Sequence, residues 1–574
     1  MQPSRRELVG AGAALAGLAS CARGASEGPD AAAVRAAEQL LGVDFTNAER
    51  DQMIGVLEGQ LDVVRALRAE TKPNSLAPAM TFDPRVPGVV YPNGPDVPFA
   101  PPDVGSPPAD ETDIAFAPAY AQARWIANGA LSSRALTEIC LDRIERIAPQ
   151  LECFVTVMAD QARAEADAAD AELAARGPKS ALHGLPYGLK DLFDAEGAPT
   201  TWGAMPYKDR PPATADSAVA AKLRAAGAVL IGKTTLGALA YGDIWFGGRT
   251  RNPWNTAEGS SGSSAGSAAG VAAGLMSFAI GTETLGSIVS PSDRCGTTGL
   301  RPTFGRVSRH GAMALCWSLD KIGPLARSVA DAALVLEAIT GFDPRDASSF
   351  DAPLDLGDDG GGGADARGLT VGYDPRWFED AHPLDLVARD AMAAAGARLV
   401  EITAPEVPAD PLFLALTVEA AAAFEDLTLS DADDQMVWQD DDAWPNSFRA
   451  ARFISAIDYV QIDRVRRRLM TEMHGAFAGV DVLIGPNYAG GMLTATNFTG
   501  QPQLALRAGF AETPSRTLFD DAQDGQGEGE EPPLSRTPRA ISLWAPLFGE
   551  GLLVRAGRAL EAQLGVAGER PPTG

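Results

Sequence analysis

The chain has 574 residues, 45% of them hydrophobic, enough for a large core or for several ordinary domains. Its 48 Lys plus Arg against 75 Asp plus Glu give a formal charge of -27, which speaks against a nucleic-acid partner held by phosphate contacts. An acidic surface of this kind mainly favours solubility.

The segment "MQPSRRELVGAGAALAGLASC" combines a short basic start, an apolar stretch from Leu8 to Ala19 and a small-residue end, which predicts a targeting segment over 1–20. Arg5-Arg6 resembles a twin-arginine export signal, and Leu18-Ala19-Ser20-Cys21 resembles the lipobox at which a bacterial lipoprotein is lipidated on cysteine. The expectation is an exported protein of the periplasm or cell envelope, anchored by a lipid on Cys21; its apolar stretch is too short for a permanent membrane span. Cys140, Cys153, Cys295 and Cys316 match no zinc spacing and no dense disulfide framework, so buried free thiols are expected.

Residues 21–112 read as an extension. Helices are predicted over "AAVRAAEQLLG" and "NAERDQMIGVLEGQLDVVRALRAE", followed by a proline-rich extended wrap or linker in "FDPRVPGVVYPNGPDVPFAPPDVGSPP". From Ile114 the pattern changes to helices alternating with short apolar strands. "DSAVAAKLRAAG" then "AVLIG" reads as a helix stopped by Gly227 and a buried strand; "RSVADAALVLEAITG" reads as a helix opened by a Ser328/Asp331 capping box. Such alternation predicts an α/β fold with a sheet covered by helices. "LGDDGGGGADARG" and "DDAQDGQGEGEEPPLSRTP" read as surface insertions; "LSDADDQMVWQDDDAWP", with Trp438 and Trp444 among its acids, reads as a cover over a cleft or, the favoured reading, as a solvated acidic loop.

Five serines and four glycines crowd "GSSGSSAGSAAG" at Gly259–Gly270. A small-residue helix and a strand follow directly, so the stretch lies inside a domain; without a Gly-Lys-Ser/Thr ending it is no phosphate loop. Gly262-Ser263-Ser264-Ala265-Gly266 does match a G-x-S-x-G nucleophile elbow, with Ser264 as nucleophile and His310, His382 or His474 as partner, but an elbow needs a buried strand before it and "NPWNTAEGSS" is not one. A base other than histidine is available in "HGLPYGLKDLFDAEGAPTTWG", where Lys190 ends an apolar segment instead of decorating a helix face. A lysine can serve if its surroundings keep it neutral.

"GLPYGLKDLFD", "NPWNTAEGSSGSSAGSAAGVAAG" and "GTETLGSIVSPSDRCGTTGLRPTFGRVS" together resemble the amidase signature family, and the likeness runs from about Ile114 to Leu564. The resemblance implies a single large catalytic domain, 113–565, with a mixed central sheet, followed by a tail at 566–574. It implies that Ser287 is the nucleophile, that Ser263 is a bridging serine behind a cis peptide bond after Gly262, and that Lys190 is the base. It implies an oxyanion hole made by the backbone N–H groups of Thr284, Leu285, Gly286 and Ser287, and chemistry that needs no metal or organic cofactor. Asp191, next to the base, is a candidate to orient it, with an ordinary surface or capping role as the alternative. Departures are Leu285 and Val289, the latter where the family commonly has arginine, and Thr235 in place of a more usual asparagine, which can alter the pocket; the "GTET-x-GSIV" form is similar to peptide amidases.

The implied function is a serine amidase that cleaves a carboxamide C–N bond in a small-molecule or peptide substrate through an acyl-enzyme, with membrane contact only through Cys21. Two alternatives stay beside it: an amidotransferase A-like subunit, and a catalytically inactive surface-binding lipoprotein on the same fold.

Overall fold

A computed structural model describes residues 29–357, 365–516 and 533–573; Arg5-Arg6, Cys21 and the middles of both glycine-rich insertions lie outside the described residues. The described residues fall into two units, one up to Lys72 and one from Pro73. The first holds the helices Ala31–Leu41 and Asn47–Ala69. Thr46 and Glu49 close a capping box at the start of the second helix, and Arg50 joins Glu38 at 2.7 Å.

The alternating pattern of the second unit resolves into a mixed sheet of eleven strands among the described residues. In chain order these are β1 Phe154–Val157, β2 Pro186–Lys190, β3 Val229–Thr234, β4 Phe278–Glu283, β5 Thr298–Arg301, β6 Lys321–Ala326, β7 Thr370–Tyr373, β8 Arg398–Glu401, β9 Val482–Pro486, β10 Gln503–Pro514 and β11 Leu534–Trp544. Across the sheet they run β1-β3-β2-β4-β6-β5-β10-β11-β9-β7-β8. Every residue of β2, β3, β4 and β6 is buried, which is why these strands read as continuous apolar runs: helices cover both faces.

β2 lies parallel to both β3 and β4, so their carboxyl ends open on the same edge of the sheet. In open α/β sheets that edge is where ligands bind. The helix Ala218–Ala225 begins at Ser217 and ends before Gly227, which takes a left-handed φ of 83° as a helix stop does. The helix Val329–Ile339 also starts as expected, with Ser328 Oγ accepting from Asp331 N, but the box does not close: the Asp331 carboxylate accepts from Tyr120 N at 2.9 Å instead.

Two loop expectations are corrected. The insertion placed at 520–538 ends earlier, because β11 begins at Leu534 and pairs along its length with β10; the Thr513 and Thr537 hydroxyls meet at 2.7 Å. The acidic stretch 429–445 is not simply solvated. Trp444 is buried, donates from Nε1 to Leu239 O at 3.1 Å and packs 4.9 Å from the ring of Tyr241. Burying the Trp444 indole gains more than the neighbouring acids oppose, since the carboxylates can stay at the surface.

The proline-rich run crosses this unit in extended form, and two of its N–H groups bond outside it: Val97 N donates to Leu354 O at 2.9 Å, and Phe99 N to Glu337 Oε2 at 3.0 Å. Cys140, Cys153, Cys295 and Cys316 are free and buried, and burial pushes the Cys140 and Cys153 thiols up to about 12.

Candidate active site

The serine-glycine stretch is a tight path leading into a buried helix, Ala265–Ala272. A Cβ on Gly262 would stand 1.8 Å from Gly242 O, and one on Gly266 would stand 2.1 Å from Cys153 O. Only glycine lets these backbones approach so closely. The Gly262–Ser263 peptide bond is cis. The loop is held from outside by Asp243, which accepts from Ser261 N at 2.9 Å and pairs with Arg249 at 3.2 Å.

Lys190 ends β2 and is fully buried. Its Nζ lies 2.8 Å from Ser263 Oγ, 2.8 Å from Thr282 Oγ1 and 3.1 Å from Ser264 Oγ. Burial pushes the Lys190 ammonium well below the usual lysine range, against the weaker pull of Asp320 and Glu283. Ser264 is committed elsewhere, since its hydroxyl donates to Thr282 O at 3.1 Å and accepts from Thr282 N at 3.2 Å. The elbow reading of Ser264 fails on the same geometry, for the segment before it, Asn255–Gly259, belongs to a separate two-stranded ribbon.

Ser287 sits on the loop that leaves β4. Ser264 N donates to Ser287 O at 3.1 Å, and the Ser261 and Ser290 hydroxyls meet at 2.7 Å, so the two serine-bearing loops are stitched together. Among the described residues no hydrogen bond joins the Ser263 and Ser287 side chains, and Ser287 keeps 8% exposure where Ser263 has 1%. The N–H groups of Thr284, Leu285, Gly286 and Ser287 have no backbone acceptor among the described residues. Gly286 takes a φ of 93°, the one bend in that run that favours glycine.

Residues not singled out from the sequence hold this loop. Glu283 accepts from Ile288 N at 2.9 Å and Val289 N at 3.0 Å, and pairs with Arg301 at 2.6 Å with both side chains fully buried. Burial alone would raise its carboxyl, but Arg301, Asn497 and the Val289 N–H bring it down to about 2. Glu283 is therefore an anion that fixes the chain on the far side of Ser287. Thr284 Oγ1 donates to Asp320 Oδ1 at 2.6 Å and fixes the near side. The only sequence signal for this pair is an acid at the end of an apolar strand; Arg301 and Asp320 come from elsewhere in the chain and leave no mark beside it.

Asp191 does not orient Lys190. It forms a fully buried pair with Lys233 at 2.7 Å and accepts from Thr201, so its charge is spent one layer away. Thr235 likewise spends its hydroxyl on Thr250 at 2.6 Å rather than on a pocket. A cavity of about 570 Å³ reaches Thr282 and Thr284 and is lined also by Leu192, Met313 and His310. His183 is buried with Nε2 on Ala169 O, and His382 caps a helix, so neither takes part.

The strand ends of a mixed α/β sheet thus gather a buried lysine, a serine that follows a cis peptide bond and a serine loop bent at a glycine. The Amidase family model matches residues 135–507, and the chain belongs to that family. It is 35% identical over 479 residues to the A-type subunit of glutamyl-tRNA(Gln) amidotransferase from Anaeromyxobacter dehalogenans (strain 2CP-C), covering 77% of this chain and 94% of that one. The solved peptide amidase of Stenotrophomonas maltophilia superposes with a TM-score of 0.65 at 28% identity, covering 79% of this chain and 98% of that one. A bacterial aryl acylamidase of the amidase signature family, 24% identical with a TM-score of 0.65 over 79% of this chain and 99% of its own, shares the fold.

Proposed function

We propose that the protein is a serine amidase acting on neutral carboxamides, with Ser287 as nucleophile, Ser263 as bridge and Lys190 as base. The observation that carries this reading is the buried Lys190 Nζ, 2.8 Å from Ser263 Oγ. A neutral amine has two N–H donors and one lone pair. Ser264 Oγ, whose own proton goes to Thr282 O, accepts one N–H, and Thr282 Oγ1 accepts the other. The lone pair is left facing the Ser263 hydroxyl.

The steps follow from that orientation. As Ser287 Oγ bonds to the amide carbon, its proton passes to Ser263 while the Ser263 proton passes to Lys190. The Ser287 hydroxyl must turn toward Ser263 for this, and among the described residues no hydrogen bond holds it elsewhere. Negative charge on the carbonyl oxygen meets the N–H groups of 284–287, which Glu283 and Thr284 hold in place before the reaction. The relay then runs backward: the proton returns through Ser263 to the amide nitrogen, the C–N bond breaks, and the amine leaves. Water attacks the Ser287 ester by the same relay, giving the carboxylate and free Ser287.

Charge near the site supports neutral substrates. Val289 is buried and places no cation beside Ser287, while the cavity arginines Arg309 and Arg345 are paired with Asp346 at 3.4 Å and Asp343 at 2.9 Å. The second reading, glutamine hydrolysis by an amidotransferase A-like subunit, is favoured by the 35% relative. Release of ammonia or amine from aliphatic amides, amidated peptides and anilides, measured beside free glutamine, separates the two. We expect turnover of neutral amides at least ten times that of glutamine; glutamine as the best substrate would overturn the neutral-amide assignment.

We propose further that the Arg5-Arg6 motif exports the chain and that Cys21 carries a lipid anchor, since one diacyl modification supplies the membrane affinity that the apolar stretch cannot. Cys21→Ser should move the protein from the membrane fraction to the soluble one. A wild-type protein found in the cytosol with Met1 intact refutes this.

A further inference from the structure

Asn74 stands near the start of the second unit, well before the family match begins at residue 135. Its side chain grips one residue from both sides: Nδ2 donates to Ala314 O at 2.8 Å, and Oδ1 accepts from Ala314 N at 2.8 Å. The same Nδ2 reaches Ala423 O at 3.3 Å, at the end of the helix Ala409–Ala423. Ala314 lies between Met313 and Leu315, two residues of the cavity that extends to Thr282 and Thr284. Leu315 N and Cys316 N both donate to the Asp320 carboxylate that receives the Thr284 hydroxyl. The clasp therefore ties the extension to the turn that supports the candidate oxyanion loop.

Asn74, Ser75 and Ala77 all line that cavity. A strap serving stability alone would bury apolar side chains, yet Ser75 and Ala77 are exposed and Leu76 between them is 60% exposed. What the segment supplies is a fixed rim of small side chains beside an open space. Its fixation is specific, because a side-chain amide that satisfies both the N–H and the C=O of a single residue admits one placement.

We propose that residues 74–77 are a specificity-determining wall: the cavity receives one substituent of the scissile amide, and this segment sets the size it admits. The proposal rests on the amidase reading above and adds which part of the chain selects the substrate. Substrate size then depends on a segment that the matched family region does not contain.

The test uses the full chain and two series of neutral amides. In one the acyl group is constant and the amine grows from ammonia to aniline to naphthylamine; in the other the amine is ammonia and the acyl group grows from acetyl to phenylbutyryl. Ala77→Trp and Ser75→Trp should each lower the kcat/KM ratio of the largest to the smallest member ten-fold or more in one series. Asn74→Ala, which frees the rim, should raise that ratio three-fold or more. Both Trp sites are exposed, so melting temperatures should not move. Ratios unchanged in both series for both Trp variants overturn the wall. A fluorophosphonate probe run on each protein separates the failures: labelling of Ser287 with unchanged ratios sinks the wall alone, whereas a wild-type chain with no adduct on Ser287 sinks the catalytic reading and the wall with it.

Discussion

Ser287→Ala lowers amide hydrolysis by about 10^4-fold or more, because the covalent route through a serine ester disappears. The fold survives the change. Ser287 retains some exposure and makes no side-chain link to Ser263, while its loop is pinned by backbone groups: Ile288 N and Val289 N on Glu283, and Ser287 O receiving Ser264 N. Kinetics with a small amide, read beside a melting curve, check both halves. Near wild-type turnover in the variant would remove Ser287 from the chemistry. Ser263→Ala should cost more than Ser264→Ala, since Ser264 offers Lys190 an acceptor but keeps its own proton on Thr282 O.

The second large effect belongs to Lys190. A free lysine titrates near 10.4, so at neutral pH it is an ammonium and no base. Burial lowers this one well below that value, and the neutral fraction grows as pH rises through the lowered pKa. Activity should therefore climb with pH through one ionisation and stay high on the alkaline side until the protein unfolds. Lys190→Arg should be nearly as damaging as Lys190→Ala, about 10^3-fold, because a guanidinium keeps its proton. A histidine base would instead show a rise near pH 6.5. A pH profile of kcat/KM for the wild type, with the quadruple replacement of His183, His310, His382 and His474 beside it, distinguishes the two; loss of the alkaline activity in that variant, with an active Lys190→Ala, would refute the lysine mechanism.

How far the sequence alone can go is clearest at four places. Lys190 is legible because a charged residue at the end of the apolar run "GLPYGLK" has no solvated helix face to occupy, and the strand β2 ends there. The small residues around Ser263 are legible as a tight path, and the collisions that a Cβ would make at Gly262 and Gly266 explain them. Glu283 is not legible as a clamp. Its role exists only because Arg301 on β5 and Asn497 on a distant helix converge on it, and contacts of that separation have no local pattern. The same holds for Asn74, an ordinary loop asparagine until Ala314, 240 positions away, closes on it.

Where local sequence points the wrong way, the causes are physical too. Asp191 follows Lys190 in sequence, but β2 has ended at Lys190 and the chain is already turning, so its carboxylate meets Lys233 and Thr201 and not its neighbour. The acids of 429–445 suggest a solvated loop, although Trp444 and Trp438 both pack near Tyr241. The first residues of β11 are hidden by the acid-rich composition before them, while the partner strand β10 that orders them lies on the other side of that insertion.

The central claim is that one serine, activated through Ser263 by neutral Lys190, forms the covalent bond. Peptide mapping of the protein after reaction with a fluorophosphonate probe tests it most directly. The account predicts a single adduct, on Ser287, whose formation slows by orders of magnitude in Lys190→Ala. An adduct on Ser264, or labelling of Ser287 at the same rate without Lys190, would contradict it.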